Sequence, residues 1–224
     1  MISDNLREVR QELRDSCALA SRQLKEVTLI AVTKTVDVDH TIELVEQGVH
    51  HLAENRADKF LDKKEKMADF PNVSWHFIGN LQRRKVKSVI NEIDFFHALD
   101  SIKLANEIQK RAEKTIRCFV EVNVSGEASK QGISPDELEA FIDQLAGMDH
   151  ILVIGLMTML PFDSTIEEQH RLFAQLKTLQ ENIQNKNLAF APCTETSMGM
   201  SNDFAIAIQE GATFVRVGTA LFRE

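Results

Sequence analysis

Lys34 closes a run of apolar and β-branched residues, Leu29-Ile30-Ala31-Val32-Thr33, and a polar stretch from Thr35 to His40 follows it. A primary amine in such a place condenses with a carbonyl carbon once partial desolvation favours its neutral form. Far along the chain, Thr196-Ser197-Met198-Gly199-Met200-Ser201 and Val217-Gly218-Thr219 combine glycine with hydroxyl side chains. Glycine lets backbone N–H groups approach an anion closely, and a helix start adds partial positive charge, so both segments suit a phosphate. Arg216 stands two residues before Gly218 and would address the same side of a strand with a permanently charged donor. The plainer alternatives are a solvated lysine, glycines that only shape turns, and an arginine paired with a core carboxylate.

For these residues to act together, a scaffold must bring residue 34 beside residues 197–219. The pattern predicts an amphipathic helix over residues 3–23, with Leu6, Val9, Leu13 and Cys17 on its apolar side. Strands are expected near 27–34, 49–53, 73–78, 93–99, 116–124, 151–157, 188–193 and 213–217, with helical patterns between them. Asp37 or Asp39, Asp100 or Ser101, Ser134 with Glu137, and Ser164 with Glu167 supply helix starts, and Gly48 supplies a stop. Eight alternations without a linker predict one α/β domain over residues 1–224, a closed (β/α)8 TIM barrel with an extra N-terminal helix. No helix is expected after the eighth strand. The helix at 3–23 is expected to fill that vacant place in the outer ring.

Composition narrows the classes of function. The 224 residues are 43% hydrophobic and 27% charged, enough apolar surface for a core, and the formal net charge of −8 argues against nucleic acid or a membrane surface as partner. Arg83-Arg84-Lys85 and Lys63-Lys64 read as solvated helix faces. Cys17, Cys118 and Cys193 are too dispersed for a disulfide framework or a zinc site, and no signal peptide precedes the fold, so a cytoplasmic protein is expected.

In a barrel, the C-terminal strand ends form one rim, and phosphate is commonly held after strands seven and eight. Lys34 would face that phosphate site across the mouth. A phosphorylated aldehyde fits both ends: pyridoxal 5′-phosphate (PLP), or a sugar phosphate in an aldolase-type reaction. An arginine near the phosphate suits the former, because it can meet the pyridine nitrogen and keep it unprotonated.

The blocks Ala31-Val32-Thr33-Lys34-Thr35, Glu54-Asn55-Arg56, Trp75-His76-Phe77-Ile78-Gly79, Ser129-Lys130-Gln131-Gly132, Ser197-Met198-Gly199-Met200-Ser201 and Val215-Arg216-Val217-Gly218-Thr219 closely resemble the pyridoxal phosphate homeostasis protein family. The resemblance runs in order from about residue 28 to 222. It implies the barrel of the alanine racemase N-terminal domain, known as PLP fold type III, with the cofactor as a Schiff base on Lys34. It further implies Arg216 at the pyridine nitrogen, Ser197, Gly218 and Thr219 at the phosphate with backbone groups of Met198 or Gly199, and Asn55 near the ring. Thr33 stands where many members have serine, and Val36 where many have a second lysine. Lys130 is the remaining second lysine, most simply a loop residue.

The implied function is intracellular vitamin B6 homeostasis, with PLP and related B6 vitamers as ligands and apo forms of PLP enzymes as candidate recipients. Neither a catalytic residue nor a metal is assigned. The alternatives are an amino-acid racemase of the same fold and a Schiff-base aldolase or isomerase. Two-base racemisation needs a second acid/base opposite the lysine, and alanine racemases use a tyrosine there. This chain has no tyrosine. His76, in an apolar strand, is expected to be structural. Without the racemase's second domain, an open mouth and a monomer are expected.

Overall fold

A computed structural model describes residues 1–224. Eight parallel strands pair in sequence order and close on themselves: β1 (Thr28–Val32), β2 (His51–Glu54), β3 (Ser74–Phe77), β4 (Phe95–Leu99), β5 (Ile116–Glu121), β6 (Ile151–Met157), β7 (Glu195–Ser197) and β8 (Phe214–Val217). Closure is made by β1 against β8, with Ile30 opposite Arg216. Side chains alternate between the barrel interior and the surrounding helices. On β3, Trp75 and Phe77 point outward and meet Phe60 edge-on, at 5.5 and 6.4 Å between ring centroids. His76 points inward and stacks on Phe95 at 4.3 Å.

The outer ring contains α2 (Val38–Glu46), α3 (Ala57–Lys66), α4 (Arg83–Val89), α5 (Ile102–Arg111), α6 (Leu138–Gln144), α7 (Ile166–Gln184) and α8 (Phe204–Gln209), preceded by α1 (Ile2–Leu19) and followed by α9 (Thr219–Phe222). Here α1 takes the expected place between the last unit and the first. Its Ile2, Leu6, Val9, Leu13 and Cys17 are buried. Asn5 Nδ2 donates to the carbonyls of Leu221 and Arg223 at 3.2 and 2.8 Å. After the helix, Arg22 Nη1 donates to the carbonyls of Ile208 and Ala212 at 2.8 and 2.7 Å, satisfying the C-terminal end of α8. On the other side Arg10 Nη2 donates to Gln47 O, just past α2, at 2.8 Å.

Three expectations shift. Residues 188–193 are not the seventh strand. Leu188 and Ala191 form an isolated antiparallel bridge in a tight turn, Cys193 has φ +47°, and β7 begins only at Glu195. That apolar run does lie along β6, with Val153 N–H donating to Phe190 O at 2.9 Å and Cys193 N–H to Val153 O at 3.1 Å, but the turn and the positive φ interrupt it as a strand, which periodicity does not register. A helix does follow the eighth strand: α9 is one short turn, too short for a periodic signal. The capping box of α7 is Thr165 with Glu168, one residue later than Ser164 with Glu167. Asp37 and Ser101 cap α2 and α5 as read.

Because α1 closes the ring, its buried face should be felt globally. Leu6→Ala should lower the unfolding free energy by about 2–5 kcal/mol in urea denaturation, while Leu19→Ala, at 77% exposure, should change it by under about 0.5 kcal/mol.

Candidate functional site

At the C-terminal rim, β1 ends at Val32 and the chain turns at once, with the Val36 N–H donating to Thr33 O at 3.2 Å. Lys34 sits exposed in this turn. The turn is pinned from beneath. Lys63 Nζ donates to Thr33 O at 2.7 Å, to Val36 O at 3.1 Å and to Glu54 Oε1 at 2.5 Å. Thr33 Oγ1 donates to the same carboxylate oxygen at 2.7 Å. Lys63 and Glu54 are 5% and 0% exposed, so this ion pair is dry, and Glu54 Oε2 is buried without a partner. The reading of Lys63 as part of a solvated face is therefore wrong. It lies one turn after Phe60 on the buried side of α3, and the signal that could have found it is Glu54 at the end of the preceding strand.

Lys34 lines a rim cavity of about 350 Å³ together with Thr35, Lys130, Ser201, Asn202, Asp203, Arg216, Gly218 and Thr219. The wall opposite Lys34 is built from backbone. Ser201 Oγ accepts from the N–H groups of Gly218 and Ala220 at 3.2 and 3.1 Å. Met200 N–H donates to Asp203 Oδ1 at 2.6 Å, while the N–H groups of Ser201 and Asn202 have no acceptor within the chain. Donors gathered in this way, with one hydroxyl that can turn, suit a phosphate.

Arg216 is 2% exposed, and its guanidinium reaches the inner wall of the cavity. Nη1 donates to Ser197 Oγ at 2.5 Å and Nη2 to Thr158 O at 2.9 Å. Burial pulls its pKa down to about 10, against the opposing pull of Asp203 and Glu121, so it stays charged at neutral pH. Burial pushes Glu121 up to about 7, with Asp100 adding to the rise and Arg216 opposing it.

The remaining residues singled out from sequence lie elsewhere. Ser197 is fully buried, its hydroxyl between Arg216 and His97 Nδ1, the latter at 2.8 Å. Met198 N–H donates to Phe214 O at 3.1 Å, and Gly199 O accepts from Arg216 N–H at 2.9 Å. At Gly199, φ is +95° and a Cβ would stand 2.7 Å from Ala207 Cβ, so this glycine lets α8 pack close. These three residues support the rim from below because the seventh strand starts late, and Ser201, in the same block, takes the place at the cavity wall. Asn55 lines a neighbouring depression with Arg56, Asn80 and Gln82. Its carbonyl would be 2.3 Å from a Cβ at Gly79, which explains the glycine after β3. Lys130, read as a loop lysine, lines the Lys34 cavity. His76 is fully buried between His51 and His97 and does not reach it.

Residues 5–224 match the family model described as alanine racemase, N-terminal domain. The chain is 37% identical to the pyridoxal phosphate homeostasis protein of Aquifex aeolicus over 99% of its length and 97% of the relative's. It is 34% identical to that of Pseudomonas aeruginosa, covering 99% and 94%. This protein belongs to the pyridoxal phosphate homeostasis protein family. Among solved structures, PipY of Synechococcus elongatus, with PLP bound, superposes with a TM-score of 0.87 at 31% identity, covering 99% of this chain and 100% of that one. The alanine racemase of Clostridium difficile, at 15% identity, TM-score 0.75 and coverage of 98% and 56%, shares the fold. In this member of the family, the barrel is that of the racemase N-terminal domain.

Two measurements test the supports of the site. Lys63→Met leaves the Glu54 carboxylate buried and unpaired, so it should cost about 3–5 kcal/mol of stability. Lys63→Met with Glu54→Leu should recover much of this, and a single variant within about 1 kcal/mol of wild type would show the clamp to be idle. For Glu121, the folded carboxyl titrates near 7 and its ordinary value is 4.5. Between those values the folded state holds the extra proton, so this group's contribution to stability falls as pH rises. The wild-type stability minus that of Glu121→Gln should therefore decline from about pH 4.5 to about 7.

Proposed function

We propose that this protein binds pyridoxal 5′-phosphate at the rim cavity and acts in vitamin B6 homeostasis, with Lys34 as the point of covalent attachment. The observation that carries this reading is the meeting, in one cavity, of an exposed primary amine, an enclosed guanidinium and a wall of backbone donors. When bound, PLP supplies an aldehyde carbon that condenses with a primary amine. The Glu54–Lys63 clamp holds the Thr33–Val36 turn, so Lys34 presents its amine from a fixed backbone while its side chain stays exposed. Ser201, Asn202, Gly218 and Thr219 would hold the phosphate. Arg216 would donate to the pyridine nitrogen and, remaining charged, keep a proton off it, which limits the ring as an electron sink. Ser197 acts through Arg216, and Met198 and Gly199 act through the backbone that carries it. Asn55 would serve the adjoining rim.

The same features favour a carrier over a catalyst. The chain has no tyrosine to act as a second base, and PLP is bound in the related PipY. Action in the cytoplasm as a monomer, with delivery to apo forms of PLP enzymes, completes the reading. No helix is long and apolar enough to cross a membrane.

Purified protein mixed with PLP should develop a visible absorbance band, and borohydride should fix the label to Lys34, as read by peptide mass spectrometry. Lys34→Ala should fold normally and lose both signals. Ser201→Ala should raise the Kd for PLP about 5–30-fold, the loss of about 1–2 kcal/mol. Wild-type protein that gains no band sinks the proposal, and sustained turnover in chiral analysis of amino acids would favour the racemase instead.

A further inference from the structure

A chain of hydrogen bonds runs through the barrel from the rim cavity to the opposite face, and binding at the rim leaves it without a use. Arg216 Nη1 lies 2.5 Å from Ser197 Oγ, and Ser197 Oγ lies 2.8 Å from His97 Nδ1. His97 Nε2 is 2.8 Å from His76 Nδ1, and His76 Nε2 is 2.9 Å from His51 Nδ1. The guanidinium sets the direction. It only donates, so Ser197 accepts there and directs its single proton to His97 Nδ1. Neutral His97 then donates from Nε2 to His76 Nδ1, and His76 donates from Nε2 to His51 Nδ1. Burial holds His76 and His97 well below the ordinary imidazole range, which keeps both neutral. His51 is left with an Nε2–H that has no acceptor in the chain.

His51 opens the second strand and lines a cavity of about 540 Å³ at the N-terminal face. Leu13, Val27 and Leu29 give that cavity an apolar floor, and Arg10, Arg14 and His50 give it a basic rim. No aspartate or glutamate lines it, although the chain as a whole carries a net charge of −8. Arg10 is braced on Gln47 O at 2.8 Å. The other charged groups around His51 are Arg117, which lies 4.0 Å over the Phe95 ring, and Asp94.

We propose that this N-terminal cavity is a second binding site, for a small organic anion with an apolar body, and that the histidine chain couples its occupancy to Arg216. The coupling half rests on the reading that Arg216 faces bound PLP. An anion accepting from His51 Nε2–H polarises that ring and makes Nδ1 a better acceptor, and each donor along the chain is polarised in turn. No proton changes owner. The pull ends on the Ser197 hydroxyl, whose oxygen becomes a better acceptor for Arg216 and draws the guanidinium away from the cofactor ring. Occupancy below therefore weakens PLP binding above, and by linkage PLP weakens the anion equally.

The test uses full-length protein with ¹⁵N-labelled histidine, loaded with PLP so that the rim cavity is filled. It is titrated with phenyl phosphate and, in a parallel arm, with benzoate, which separates phosphate from carboxylate as the preferred anion. The expected result is a saturable ¹⁵N shift at His51 with one or both probes, abolished by Arg14→Glu, a surface change that leaves the PLP band intact. The His97 ¹⁵N shift should move in step, and the Kd for PLP should rise about fivefold at saturation. His76→Leu should keep probe binding and lose the change in Kd. Should that variant not fold, the wild-type His97 signal decides the coupling by itself. No saturable His51 shift at millimolar probe overturns the site. A His51 shift with His97 and the PLP Kd unmoved overturns the coupling. Protein that takes up no PLP fails the preceding proposal instead. The His51 titration then decides the second site on the bare protein, with the Ser201 and Gly218 amides reporting any binding at the other end.

Discussion

Arg216 carries a full charge inside a closed barrel, at 2% exposure, and much of the interior follows from meeting that charge. Removing a guanidinium from water costs several kcal/mol unless its donors are taken up. Ser197 and the Thr158 carbonyl take two of them, and the carboxylates of Glu121 and Asp203 lie within electrostatic reach. Each answer creates a further demand. A serine hydroxyl that accepts from arginine has a proton to place, and in a dry interior only another buried acceptor can take it. Imidazole is the side chain that accepts on one nitrogen and donates on the other. Three histidines therefore pass the requirement along until His51 reaches the edge of the barrel. The aromatic rings that pack beside them, Phe95 on His76 and Phe119 on His97, fill the volume without adding polar groups.

Lys34 is held by the opposite strategy. Its backbone is fixed by a buried ion pair, whereas its side chain is exposed. The Glu54–Lys63 pair brackets the turn through two carbonyls, so the amine is presented from a rigid base into an open mouth. On the proposed reading, in which Lys34 takes up and releases PLP, this contrast serves the role well. A base in a two-proton reaction would instead need a partner positioned across a closed site, and the chain offers no tyrosine for that role. Membership of a family named for PLP homeostasis and the geometry of the rim both support the proposed reading.

Much of the barrel could be read from the chain, since parallel strands buried on both faces and amphipathic helices leave distinct periods. Residues 188–193 differ from the expected strand because a tight turn and the positive φ of Cys193 interrupt an apolar segment that lies along β6 and has the composition of a strand. The late start of β7 then moved the rim from Ser197 to Ser201, four residues along the same motif. Lys63 misled because a charged residue beside another charged residue looks solvated. Its burial depends on a carboxylate that only the β2–α3 connection brings beneath it.

The sequence by itself determined the class of fold, the family, and the types of group that gather at the strand ends, because local periodicity and short motifs are written along the chain. Tertiary structure decided which of those groups share a cavity. Lys34, Arg216, Gly218 and Thr219 line one wall or another of it, Ser201 and Lys130 join them, and Asn55 and Ser197 do not. It also decided that three histidines from β2, β3 and β4 stand in one hydrogen-bonded line. Their spacing along the chain carries no such signal, since strand register sets which inward side chains meet, and register is a property of the closed sheet.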